Sequence, residues 1–182
     1  MSEVSKIGKS AADLRNDFDQ SYSVPPSSSV AGEIENMLVI HIAQSLYAIR
    51  LAEIVGLESK RKIVAVPGPI PEMLGIAGVR GKFVSVYNLA ALVGCSSDVT
   101  QPQWMVLCGG EDQVGLGFAE FGGYLRVPTA QVYEGSRKKE AGDHVKAMAR
   151  RGDMTYAVLS VPSLVENICR RCADYRMSSK QH

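Results

Sequence analysis

From Met37 onward, apolar side chains return at every second position in short runs, and no long helical pattern falls between those runs. Alternation of this kind places one apolar face on an extended strand, whereas a helix repeats every 3.6 residues. Leu38, Ile40 and Ile42 share one face of Met37–Ala43. After a break at Gln44-Ser45, Tyr47, Ile49 and Leu51 share another, which predicts a hairpin of half-buried strands. The alternation recurs in Trp104–Cys108, at Val114, Leu116 and Phe118, in Tyr124–Val127, in Val145–Arg150 and in Met154–Leu159. Gly109-Gly110-Glu111-Asp112, Gly122-Gly123 and Arg151-Gly152-Asp153 supply the turns. No long helix pattern sits between the strands to act as a crossover, and many short strands with regular glycine breaks predict small barrels rather than a parallel sheet.

Two segments leave the alternation in the same way. Val86 to Val93 and Val158 to Val165 each run from a strand into a polar residue and then an apolar turn. Asn88 and Ser160 carry side chains that accept the free N–H groups of a helix start, so each reads as an N-cap. Pro162 suits a first helical turn, and Gly94 suits the end of the first helix. Ile168 and Cys172 extend the apolar face of the second. The repeated strand, cap and helix predict two similar subdomains, each closed by a short helix.

Residues 1–36 differ. Ser21–Ser29 is a Pro/Ser linker. Ile7, Ala11, Leu14 and Phe18 form one helical stripe before it, which reads either as chance periodicity in a frayed terminus or as a short docking helix. The domain is expected over 37–172, followed by a C-terminal tail at 173–182.

With 182 residues, 46% of them hydrophobic and 21% charged, the chain has ordinary globular proportions and enough apolar surface for a core. A net charge of +1 argues against a phosphate-binding surface. Lys60-Arg61-Lys62 and Arg137-Lys138-Lys139 read as loop-flanking clusters. No apolar run approaches the roughly 18 residues of a membrane span, and no basic-then-apolar leader opens the chain. Together with four cysteines, this predicts a reducing compartment, the cytoplasm, and no membrane insertion.

Catalytic and metal signatures are weak. His41, His144 and His182 are scattered, and Cys169-Arg170-Arg171-Cys172 lacks the second ligand pair that a structural zinc requires. Cys169 and Cys172 read first as helix-packing residues, and no metal or cofactor is expected. Gly115-Leu116-Gly117 lies inside an alternating strand, so its glycines are read as permitting close packing rather than cradling phosphate. No Ser-His-acid set, carboxylate pair or Cys-His pair is visible, which favours a binding module over an enzyme.

The most unusual stretch is Ile63–Leu89. Pro67, Pro69 and Pro71 stiffen an extended crossing; Gly75, Gly78 and Gly81 follow, with Arg80 between the last two. Glycine strips away side-chain cover, so the Arg80 guanidinium is free to present its planar donor fork outward. The same Gly-Val-Arg-Gly spacing occurs in nucleic-acid-clamping KH loops, but those need flanking helices that are not apparent here.

This stretch resembles the CheW family of chemosensory coupling proteins. The resemblance rests on Val66-Pro67, then Gly75-Ile76-Ala77-Gly78-Val79-Arg80-Gly81, then Val84-Ser85-Val86-Tyr87-Asn88-Leu89. It extends in pattern over about residues 37–170. Gly78, Ser85 and Asn88 stand where the family usually has Asn, Pro and Asp. These departures and the N-terminal extension resemble a divergent, PilI-type coupler of twitching motility. The resemblance implies a mostly β fold of two intertwined small SH3-like barrels with short capping helices. It also implies a non-enzymatic scaffold linking the signalling tip of a methyl-accepting chemoreceptor to a CheA-type histidine kinase. Ile54, Val79, Arg80, Gly81 and Val86 would line the partner-binding groove.

Overall fold

The computed structural model describes residues 33–95, 101–109, 113–135 and 144–178. The N-terminal stripe and linker, Arg137-Lys138-Lys139 and His182 lie outside the described residues.

Among the described residues, twelve strands form two six-stranded sheets. In the first repeat they are β1 (Ile34–Ile42), β2 (Ser45–Arg50), β3 (Gly56–Ser59), β4 (Ile63–Val64), β5 (Met73–Val79) and β6 (Lys82–Asn88), followed by helix α1 (Leu89–Leu92). In the second they are β7 (Trp104–Cys108), β8 (Val114–Phe118), β9 (Glu120–Pro128), β10 (Val132–Glu134), β11 (Val145–Arg151) and β12 (Met154–Leu159), followed by α2 (Val161–Ser178). The first sheet has the order β10-β11-β12-β2-β1-β9, and the second β3-β7-β8-β6-β5-β4.

These orders reveal an exchange. Each repeat consists of a hairpin, one single strand and a three-stranded meander that runs into a helix. The β1-β2 hairpin lies in the first sheet with the second repeat's β9 and meander, while the β7-β8 hairpin lies in the second sheet with the first repeat's β3 and meander. The expectation of two intertwined β subdomains with terminal helices therefore holds. Two details differ. The hydrogen-bonded ladders stay open rather than closing into barrels. Each sheet also contains one parallel pair, β2 with β12 and β6 with β8, where the two repeats meet.

Burial explains the arrangement. Leu38, Ile40, Tyr47, Ile49 and Leu159 of the first sheet pack with Val106, Leu116 and Phe118 of the second sheet and Leu89 of α1 in a shared core. Met37, Val39 and Ala48 point the other way and meet Leu125, Val127, Ala147 and Val158. The first sheet thus curls around a core of its own, so β1 is covered on both faces, not half-buried. The second sheet curls likewise around Ile63, Ala77, Val79, Val84, Val86, Met105 and Leu107. Trp104 and Phe121, with ring centroids 5.3 Å apart, bridge the sheets at one end.

Local chemistry sets the element ends. Asn88 Oδ1 accepts from the backbone N–H of Ala90 at 3.0 Å and of Ala91 at 3.3 Å, capping α1 as its residue type requires. Gly94, at φ +79°, terminates it. Ser160 Oγ accepts from Ser163 N–H at 3.4 Å. A Cβ on Gly117 would collide with Pro102 and one on Gly115 with Met105, so these glycines serve close packing as expected.

Three boundaries move. β1 starts at Ile34, before the expected 37, because Glu35 and Asn36 pair with Val127 and Arg126 near the end of β9 although they are polar. The hairpin turn is Ala43-Gln44, with Ala43 at φ +52°. α2 is not short and absorbs 173–178 of the expected tail, 18 residues in all. Val161, Leu164, Ile168 and Cys172 turn one face of it onto the shared core. No helix among the described residues is long and apolar enough to cross a membrane.

Candidate partner-docking site

The site is built on the edge strand β3 and the tip of the β5-β6 hairpin. β5 and β6 pair up to Val79 with Lys82, leaving Arg80 and Gly81 as a two-residue turn. Both have positive φ, +50° and +78°, the signature of the turn that matches strand twist. Gly81 fits this without strain; Arg80, as a non-glycine in left-handed conformation, does not. Its side chain, 65% exposed, reaches back toward β3, with Nη2 3.5 Å from Glu58 Oε1.

A Cβ on Gly56 would lie 3.2 Å from Arg80 Nη2, so the bare backbone of Gly56 makes room for the guanidinium. Gly56 and Glu58 pair with Leu107 and Met105, whose side chains fill the second sheet's own core. Arg80 therefore lies across the mouth of that curl. Its hold is loose: Arg61 Nη2 and Nε take Glu58 Oε2 at 2.6 and 3.0 Å, leaving the other oxygen at a long distance for Arg80. A pair this long, with its arginine mostly in solvent, contributes about 0–1 kcal/mol.

Immediately before β3, a 3-10 turn at Leu51–Glu53 leads into Ile54 and Val55. Val55 N–H donates to the Leu107 carbonyl at 2.7 Å, so its backbone is fixed while its side chain stays half exposed. Ile54 is partly buried against the shared core. Both line a cleft of about 540 Å³ shared with Val161 and Val165 of α2.

The structure thus brings Ile54, Arg80 and Gly81 to the two sides of one open strand edge. Val79 and Val86 are corrected: they are 1% and 0% exposed, inside the second sheet's core. Their strand parity points them inward with Ala77 and Val84, so no partner can touch their side chains without unfolding the sheet. They hold the tip from beneath. Sequence reasoning missed Val55 and Phe83. Phe83, 88% exposed, is out of phase with Val84 and Val86, a parity the alternation already contained.

Glu53 was also missed. Its Oε2 accepts from Val161 N–H at 2.8 Å, so a carboxylate from the β2-β3 connection caps α2 beside the cleft. Farther along α2, Arg171 makes a bidentate pair with Glu72 at 2.9 Å for both bonds. Tyr87 Oη meets Cys172 Sγ at 3.8 Å. Burial, followed by that thiol contact, pushes the Tyr87 phenol up to about 12. Cys172 packs inward as expected, whereas Cys169 is exposed and does not. Among the described residues no group of three or more His, Cys, Asp and Glu is placed to hold a metal ion.

The CheW-like domain family matches residues 36–169, nearly the whole of the described fold. The chain belongs to that family. A solved structure of the scaffolding protein TtCheW from Thermoanaerobacter tengcongensis superposes with a TM-score of 0.64. The match covers 72% of this chain and 92% of that one at 14% identity, which is a likeness of fold. No protein of curated function matches the chain by sequence. Within this CheW-like domain, the Arg80-Gly81 tip lies in the segment that carried the resemblance.

Proposed function

We propose that this CheW-like domain is a non-enzymatic coupling scaffold of the cytoplasm. It joins the signalling tip of a methyl-accepting chemoreceptor to a CheA-type histidine kinase, in a chemotaxis or twitching-motility array. One observation carries the reading: the open edge strand β3 is flanked by half-exposed Val55 on one side and a loosely held, strained Arg80 on the other. An arginine presented without strong internal partners is suited to an interface anchor. An apolar cleft beside it suits the flank of a helical receptor hairpin. Ile54, Arg80 and Gly81 are the contact residues in this reading, and Val79 and Val86 support them from the core.

The test is binding of the purified chain to a receptor signalling-domain fragment and to the kinase. Arg80→Ala should leave stability within about 0.5 kcal/mol and weaken association by roughly 2 kcal/mol, about thirtyfold. Unchanged affinity for both partners would remove the tip from the docking surface. Joint loss of folding and binding would make Arg80 a brace of the sheet.

A further inference from the structure

The exchange of hairpins has a consequence for assembly. The first half of the described fold, residues 33–95, and the second, residues 101–178, meet along four ladders: β1 with β9, β2 with β12, β3 with β7, and β6 with β8. None of the three cores belongs to one half. The shared core needs Leu38 and Ile40 with Val106 and Leu116; the first sheet's core needs Met37 and Ala48 with Leu125 and Val158; the second needs Val84 and Val86 with Met105 and Leu107. Each half alone therefore presents open sheet edges and uncovered apolar faces whose complement is the other half. Nothing in those contacts requires both halves to belong to the same chain.

We propose that a second copy of this chain is the partner that fits each half, giving a reciprocally swapped dimer with two complete folds. Every ladder and core contact of the monomer recurs in it, so the balance is set by concentration and by the joint between the halves. A short joint holds the cognate half at an effective concentration on the order of millimolar. Monomer wins in dilute solution, and dimer gains as the chain concentration approaches that value. The dimer would carry two Arg80-Gly81 tips on one particle.

The test uses the full chain in a Cys169→Ser background, with Asn36→Cys in one preparation and Arg126→Cys in another. Both positions are exposed and lie directly opposite one another across the β1–β9 seam. The two are mixed in denaturant, refolded at low micromolar and at near-millimolar concentration, and treated with a short thiol crosslinker. A chain carrying both substitutions calibrates the reagent by linking within one monomer. The expected product at high concentration is a species of twice the monomer mass, with position 36 of one chain joined to position 126 of the other. It should be at least tenfold scarcer in the dilute sample. A dimer without that linkage, or equal yields at both concentrations, would overturn the proposal. So would light scattering that finds only monomer for the unsubstituted chain refolded at high concentration.

Discussion

Arg80 and Lys60 both occupy left-handed backbone at φ +50°. That conformation costs an L-residue roughly 1–2 kcal/mol, part of which glycine returns in chain entropy. Arg80→Gly and Lys60→Gly should each stabilise the fold by up to about 1 kcal/mol in urea unfolding. Only Arg80→Gly should reduce partner binding; equal loss from both would mean the whole face matters rather than the guanidinium. A second residue-scale expectation concerns alkali. Burial, with the charge of Glu53 adding to it, pushes the Cys108 thiol up to about 12, and the Tyr87 phenol is raised to a similar value. The unfolded chain releases these protons near pH 8.5 and 10, before the folded chain does. Stability is therefore full below about pH 8.5 and falls as pH rises toward 12, by at most about 1.4 kcal/mol per pH unit for each proton retained. Denaturant midpoints between pH 8 and 11 should show that decline, and Cys108→Ala or Tyr87→Phe should flatten it.

At the scale of elements, α2 does more than close its own repeat. It follows β12 of the first sheet, yet Arg171 grips Glu72 at the approach to β5 of the second, and Glu53 caps it from the β2-β3 connection. Glu53→Ala should cost about 1–2 kcal/mol, as lost helix caps do, with Glu53→Gln milder because an acceptor oxygen remains. A double-mutant cycle on Glu72 and Arg171 should return about 0.5–1 kcal/mol of coupling; none would mean that apolar packing alone holds the helix. The caps Asn88 and Ser160 were legible because capping is a local act of one side chain on the next turn. The length of α2 was legible in part: Leu164, Ile168 and Cys172 hold a helical stripe, but the charged and polar last turns hid its extent. Glu53 was not legible, since its bond to Val161 spans the fold and leaves no mark in spacing.

For the whole molecule, strand parity gave the mostly β class, and gave the first hairpin directly from Leu38, Ile40, Ile42, Tyr47 and Ile49. The exchange was not readable, because β1 has the same alternation whichever partner pairs with it. The inward turn of Val79 and Val86 is written in their parity with Ala77 and Val84, and a contiguous motif is not a contiguous surface. Parity within a strand outranks membership of a motif. Residues 1–32 precede the first ladder, so their deletion should leave cooperative unfolding of the remaining chain intact; loss of a single sharp transition would make them part of the core.

The strands that flank the first hairpin in its sheet, β9 and β12, both belong to the second repeat. Met37, Leu38, Val39 and Ile40 are buried, yet Leu125 and Val127 of β9 and Val158 of β12, which help to cover them, leave the ribosome only after the whole first repeat, and β12 after most of the second as well. At about 5–20 residues per second the delay is on the order of ten seconds. For that interval the cell holds a nascent chain whose apolar, β-prone first hairpin has only itself to pair with, the condition under which strands find wrong partners. Synthesis from the N-terminus thus makes this fold dependent on its own completion: truncated products stopping before Met154 should be insoluble or chaperone-bound, however much of the β1-β2 hairpin they contain.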